Sequence, residues 1–309
     1  MKSNKTYTKT NLTKDNHHYI SPLIYREIAL HIFKNDYSNE NHDFKTPLIL
    51  AICGHSGVGK TYQTECILKQ MSHKPYRISG AEFEDSHAGV PAKNFQQIYK
   101  ELSDDIFYKK EERAVIVIDD FDAALGGWGD LVQYTMNRQL SIKTLIDLAD
   151  NPYEITIRED DESRQVYETC RIPIIVTLND VTKMYAPLMR NGRTKLFPWT
   201  PGKEEIEQII EGIFSDVFLD FQPYELYEKL LEYASKMTDS PVEILPMSLF
   251  SDIHASLFDD DLWTLIQNNV EKSDIKTWYD KGYSSNKLIA LSKAFSIGCN
   301  LIHINKNYL

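Results

Sequence analysis

The sequence has no C-x-x-C pair, no long apolar run and no excess of basic residues, and each lack closes off a class of function. Its four cysteines, Cys53, Cys66, Cys170 and Cys299, are scattered, a pattern that suits reduced thiols in a cytoplasmic setting. The longest apolar run, residues 47–53, is far shorter than the roughly 20 residues a membrane-spanning helix needs. Lysine-rich residues 1–14 are followed by no apolar stretch, so they do not read as a secretory signal, and a membrane is not an expected partner. The chain carries 34 Lys and Arg against 45 Asp and Glu, a formal net charge of -11. A surface of that sign is poorly suited to neutralising phosphate backbones, and no helix-turn-helix pattern or basic face is present, so nucleic acid is not expected either. Internal repeats and low-complexity tracts are also lacking.

What is present is the composition of a globular protein, 42% hydrophobic and 26% charged. At 309 residues the chain exceeds one typical domain. The expected division is a disordered tail over 1–19, an α/β nucleotide-binding domain over 20–202 and a smaller, all-helical lid domain over 203–309. Ser21-Pro22 opens a helical pattern carrying Leu23, Ile24, Ile28, Ile32 and Phe33, and residues 35–45 read as a polar connector. Buried strands are expected at 48–53, 76–79, 115–118 and 172–178, with helices at 61–71, 94–107 and 131–149 between them. Strands alternating with helices imply a parallel sheet with helices on both sides. Past Thr200-Pro201-Gly202 the strand signals fade, and 204–214, 223–235, 245–266 and 286–304 read as mostly helical.

The strongest chemical signal is Gly54-His55-Ser56-Gly57-Val58-Gly59-Lys60-Thr61, which matches G-x-x-x-x-G-K-[ST] between an apolar strand and a helix. Glycines there turn backbone N–H groups toward phosphates, and the helix N-terminus adds its positive dipole end. Lys60 is expected to reach the β- and γ-phosphates of ATP and the Thr61 hydroxyl to hold Mg²⁺; Tyr62 is grouped with the same nucleotide-binding stretch. An acidic-tipped strand, residues 115–120, ends in Asp119 and Asp120. Asp119 is expected to hold Mg²⁺ through water, and Asp120 to orient or deprotonate the attacking water. Asp122 reads as a helix cap or turn residue. The strand at 172–178 ends in Asn179, whose amide is suited to holding the same water. Arg190 and Arg193 lie on a loop three residues apart; a ring ATPase needs such cations at a subunit edge, where they neutralise charge on a neighbour's γ-phosphate.

In its order of motifs and in several longer stretches the chain resembles the Rubisco activase family of AAA+ ATPases. The stretches are Ser79-Gly80-Ala81-Glu82-Phe83-Glu84 through Ala88-Gly89-Val90-Pro91-Ala92-Lys93, then Gln133-Tyr134-Thr135-Met136-Asn137, Leu148-Ala149-Asp150-Asn151-Pro152, residues 173–180, and Tyr185-Ala186-Pro187-Leu188 with Arg190 and Gly192-Arg193. The resemblance implies an AAA+ P-loop domain with a parallel five-stranded sheet flanked by helices, followed by a helical lid. It implies a homohexameric ring whose ATP cycle pulls a protein client through a central pore, with Rubisco as one candidate client. It makes Arg190 and Arg193 two arginine fingers, residues 82–93 a first pore loop and residues 153–171 a second.

This sequence departs from the family in four ways. His254 stands where the family carries its second-sensor arginine, and a shorter, partly charged side chain holds a γ-phosphate less firmly. An N-terminal Rubisco-binding domain and a plant-type C-terminal extension are expected to be lacking, and the segment between Trp263 and Gly282 is shorter than the family's. These features leave two expectations standing: an ATP-driven remodelling motor, or a nucleotide-switched assembling scaffold with slow turnover and a partner other than Rubisco.

Overall fold

The computed structural model describes residues 19–79, 89–109, 114–122, 132–158, 164–238, 242–268 and 288–305. The tail expected at 1–19 lies outside them apart from Tyr19, and so do most of the first expected pore loop and the tip of the second. The chain folds into two compact units. One comprises Pro22–Gly54 and Lys60–Trp199, and the other comprises Thr200–Leu309 together with the loop His55–Gly59 and the segment ending at Ser21.

The first unit is built on a parallel five-stranded sheet. Its strands are β1 (Ile49–Cys53), β2 (Lys74–Ser79), β3 (Ala114–Asp119), β6 (Ile174–Leu178) and β7 (Thr194–Pro198), in the order β2-β3-β6-β1-β7. Every residue of β1 and β6 is buried, as expected for central strands of a parallel sheet covered on both faces. Of the edge strands, β2, expected at 76–79 as a buried strand, buries only Ile78, because its outer side has no neighbouring strand, and β7 alternates toward solvent. Because of that alternation β7 shows no continuous apolar run, and the sequence reading, which placed four strands, did not assign it. The flanking helices are α1 (Pro22–Glu40), α2 (Lys60–Gln70), α3 (Val90–Lys109) and α4 (Val132–Asp150). Phe95, Tyr99, Leu145 and Leu148 from α3 and α4 join Ile116, Ile118, Ile174 and Val176 in one core cluster.

Helix α1 runs on into residues expected to form a connector, because polar side chains carry it there. Asn35 and Ser38 are fully buried. The Asn35 amide donates to the His31 carbonyl at 2.8 Å and the Pro47 carbonyl at 3.2 Å, and Ser38 Oγ donates to the Phe44 carbonyl at 2.8 Å. His31 Nε2 donates to the Ile174 carbonyl at 3.2 Å. Arg171 is buried beside them, donating from Nε to Asn35 Oδ1 at 2.6 Å and from Nη2 to the Thr46 carbonyl. Each buried polar atom in this seam thus exchanges water for a protein partner.

Residues 153–171, expected as a pore loop, include an antiparallel pair, β4 (Glu154–Arg158) with β5 (Arg164–Glu168). Ile155 and Ile157 point into the core while β5 is largely exposed.

The second unit packs α5 (Lys203–Ile213), α6 (Pro223–Met237), α7 (Met247–Ser256), α8 (Asp259–Gln267) and α9 (Leu291–Asn305). They surround a core that includes Ile210, Leu226, Leu230, Phe250, Ile253 and Ala294. Two details differ from a purely helical reading. The stretch 245–266 is two helices broken at Leu257 and Phe258, and the short strands β8 (Phe218–Leu219) and β9 (Leu288–Ile289) pair in parallel.

Candidate active site

The strand order decides what meets. β6 comes late in the sequence yet lies between β3 and β1, so the residues following β1, β3 and β6 emerge side by side at the carboxyl ends of adjacent strands, where parallel sheets bind ligands. The register carries this to the tips: Cys53 pairs with Leu178, and Ile118 with Val176.

Lys60 opens α2 and is only 5% exposed. Its Nζ donates to the Gly54 carbonyl at 2.9 Å and to Asn179 Oδ1 at 2.7 Å, which joins the phosphate-loop lysine to the tip of β6. Burial lowers the Lys60 pKa, and the charges of Asp120 and Asp122 oppose that fall. The two carboxylates thus offset part, and not all, of what burial does to the ammonium. Thr61 is half-buried in the first turn of α2, and Tyr62, beside it, is 44% exposed.

Thr177 laces the β3 tip to β6. Its hydroxyl donates to Asp119 Oδ1 at 3.2 Å and accepts the backbone N–H of Asp120 at 3.1 Å. Asp120 needs that support, since its φ of +49° lies in the left-handed region, which costs a residue with a side chain on the order of 1–3 kcal/mol and clusters at functional sites. A second tie runs from the Asp180 N–H to Asp122 Oδ2 at 3.0 Å. Asp122 is 3% exposed, and its other carboxylate oxygen is buried without a hydrogen-bond partner among the described residues.

The sequence reading named neither Thr177 nor a buried role for Asp122. A signal was available for the first: a hydroxyl inside the otherwise apolar Ile-Ile-Val-Thr-Leu strand has to find partners once buried. For Asp122, whose bond to Asp180 spans 58 positions, local sequence offered only a cap or a turn.

Gly57 and Gly59 adopt φ of +74° and +84°, the left-handed geometry that lets successive backbone N–H groups converge on an anion. Val58 between them is fully buried, while His55 and Ser56 are exposed. Within the second unit the Gly57 carbonyl accepts the Met247 N–H at 2.8 Å, at the start of α7. His254, on the same helix, has Nε2 at 2.7 Å from Asp216 Oδ1 and packs edge-on against Phe214, 5.6 Å between ring centres.

A glycine-rich loop leading into a helix, a buried lysine and a carboxylate-tipped strand beside an asparagine-tipped one are the parts expected of a nucleotide-phosphate site. Residues 50–199 match the ATPase family associated with various cellular activities (AAA). Residues 50–199 form an AAA domain. The chain is similar to the chloroplastic ribulose bisphosphate carboxylase/oxygenase activase of Phaseolus vulgaris, 39% identical over 63% of this chain and 43% of that protein. The corresponding protein of Solanum pennellii is 34% identical over 84% of this chain and 52% of its own length, and that of Arabidopsis thaliana is 34% identical over 82% and 50%. The chain spans about half the length of the curated relatives it matches. This is a Rubisco activase-like sequence on an AAA+ α/β fold with helices following it.

The arginine loop of the AAA+ domain precedes β7. Arg190 is exposed, with no side-chain hydrogen bond or ion pair among the described residues. Arg193 is bound instead: Nε and Nη2 donate to the two oxygens of Asp150, each at 2.6 Å, and Nη1 donates to the Pro187 carbonyl at 2.6 Å. Among the described residues no helix is long and apolar enough to cross a membrane.

Proposed function

We propose that the AAA+ domain hydrolyses ATP and uses the cycle to remodel a protein client as a ring of identical subunits, in the manner of a Rubisco activase. The carrying observation is the bond from Lys60 to Asn179, set beside the Thr177 bridge to Asp119 and Asp120. It brings a phosphate-binding cation, two carboxylates and a polar amide to adjacent strand tips. In this reading residues 54–61, with Tyr62 beside them, bind the nucleotide. Asp120 orients or deprotonates the attacking water, Asn179 holds that water from the other side, and the loop bearing Arg190 and Arg193 completes a neighbour's site.

The donors fit Mg²⁺ with the nucleotide. The Thr61 hydroxyl and Asp119 carboxylate are hard oxygens, and magnesium on a phosphate chain takes one or two protein oxygens and keeps its waters. Among the described residues no cluster of three or more His, Cys, Asp or Glu forms a closed cage, and none is needed for an ion held mainly by phosphate. Held by Thr61 and Asp119 alongside the nucleotide, the ion would supply positive charge against the phosphates.

Purified protein is expected to turn over ATP and Lys60→Ala to abolish it; unchanged hydrolysis in that variant would falsify the assignment. Activity per subunit should rise with concentration as rings form, and a flat profile across the assembly range counts against the ring. Release of a bound inhibitor from Rubisco, measured with and without ATP, tests the client. The cytoplasmic location belongs to the same reading. Since the relatives are named as chloroplastic, fractionation of the native protein decides it.

One observation favours a second reading, a nucleotide-switched scaffold with slow turnover. His254 is committed to Asp216 within its own unit, where the family resemblance asks for an arginine on the γ-phosphate. Tight nucleotide binding with negligible hydrolysis would select the scaffold; brisk, client-stimulated hydrolysis would reject it.

A further inference from the structure

The resemblance gives Arg190 and Arg193 one task, yet the structure treats them in opposite ways. Arg193 is only 19% exposed at its side chain. Its guanidinium forms a two-pronged pair with Asp150 at the last residue of α4, and its remaining nitrogen caps the Pro187 carbonyl. Its backbone is fixed as well, because the Arg193 carbonyl accepts the Ile49 N–H of β1 at 3.1 Å. The next residue, Thr194, donates from its hydroxyl to the Leu188 carbonyl at 2.8 Å, and Leu188 is buried. Arg190 lies between these anchors. Its carbonyl accepts the N–H groups of Arg193 and Thr194, at 3.1 and 3.3 Å, closing a tight turn from which its side chain extends into solvent.

We propose that Arg193 is a positioning residue, clamped by Asp150 to hold the turn that presents Arg190, and that Arg190 alone reaches the neighbouring subunit's nucleotide. For Arg193 to act across an interface it would have to leave three charge-assisted hydrogen bonds, among the strongest that polar side chains make. It would also leave the half-exposed Asp150 carboxylate to water alone. Arg190 gives up only water. The two-pronged geometry suits a planar guanidinium and not an ammonium, so lysine at 193 keeps the charge and loses the clamp. The proposal rests on the ring reading, because a presented arginine needs a neighbour.

The experiment compares steady-state hydrolysis and fluorescent-nucleotide affinity for Arg190→Ala, Arg193→Ala, Arg193→Lys, Asp150→Ala and the reversed pair Asp150→Arg with Arg193→Asp. Arg190→Ala is expected to lose hydrolysis by about a thousandfold or more, the scale of a missing arginine finger. Arg193→Ala and Asp150→Ala should match each other, each losing on the order of tenfold in kcat with nucleotide affinity within threefold. Arg193→Lys should fall with them. The reversed pair should recover several-fold over either single variant, though not fully, since it gives up the Pro187 contact.

If Arg193 itself touched the neighbour's phosphate, Asp150→Ala would keep or raise activity and the reversed pair would stay as inactive as Arg193→Ala. Either result overturns the clamp. Should Arg190→Ala hydrolyse like the wild type, the ring reading fails and the proposal falls with it; Asp150→Ala at wild-type rate beside an inactive Arg190→Ala defeats the clamp alone. Circular dichroism and thermal unfolding of each variant identify a folding failure, and in that case the reversed pair, which keeps both charges, is the deciding variant.

Discussion

Replacing Thr177 with valine removes one hydroxyl and keeps the shape of the side chain in a fully buried position. Two bonds go with it: the acceptor for the Asp120 N–H at 3.1 Å and the donor to Asp119 Oδ1 at 3.2 Å. Leaving a backbone N–H unsatisfied costs about 1–3 kcal/mol, and a hydrogen bond to a charged group contributes about 1.5–3 kcal/mol. Asp120 sits at φ +49°, so the loss falls on a residue with an extended backbone available as an alternative. Taking only the lower ends, about 2.5 kcal/mol of positioning disappears, which is roughly 70-fold in rate. Neither bond touches Lys60, so nucleotide affinity should stay within about threefold.

Single-turnover hydrolysis and equilibrium binding of a fluorescent ATP analogue separate the two quantities. Thr177→Ser keeps the hydroxyl and should return to within a few-fold of wild type. A valine variant that hydrolyses ATP at the wild-type rate, or one whose defect lies wholly in binding, refutes the idea that Thr177 sets the carboxylate geometry.

Other expectations follow from the same structure. Burial lowers the His31 pKa to about 3 from an ordinary 6.5, with Arg171 and Lys195 adding to the effect. The unfolded chain therefore binds the extra proton between those values, and the stability is present above pH 6.5 and lost as pH falls toward 3. Urea unfolding of the wild type should steepen below pH 6.5 by up to about 1.4 kcal/mol per pH unit relative to His31→Gln, and parallel curves would sink the assignment. A Cβ on Gly54 would sit 2.0 Å from the Trp199 carbonyl oxygen, a backbone atom with no easy retreat. Gly54→Ala should therefore destabilise by about 1–3 kcal/mol and lower the thermal midpoint by roughly 2–12 °C; an unchanged midpoint contradicts it. Asp122→Asn keeps an acceptor for the Asp180 N–H while Asp122→Ala does not, so the asparagine variant should retain several-fold more hydrolysis than the alanine. Equal rates would show that the charge near Lys60, and not the tie to β6, is what matters.

Much of this protein was legible in order along the chain because the signals are local. A glycine-rich loop needs its glycines in sequence, central parallel strands need continuous apolar runs, and Asp119, Asp120 and Asn179 each sit at the end of such a run, so the sequence by itself determined the α/β class and marked the candidate site residues. The tertiary structure alone decided how those members are held. β6 enters between β3 and β1, and only then does Thr177 reach Asp119 and Asn179 reach Lys60 across 58 and 119 positions. The edge strand β7 and the extension of α1 through Asn35 and Ser38 escaped the sequence reading for a related reason: their residues look polar until the partners that bury or pair them are known. The pair Arg190 and Arg193 shows the limit most clearly. Three residues apart and chemically identical, they differ only in that folding brings Asp150, 43 positions away, against one of them, and no local pattern encodes that distance.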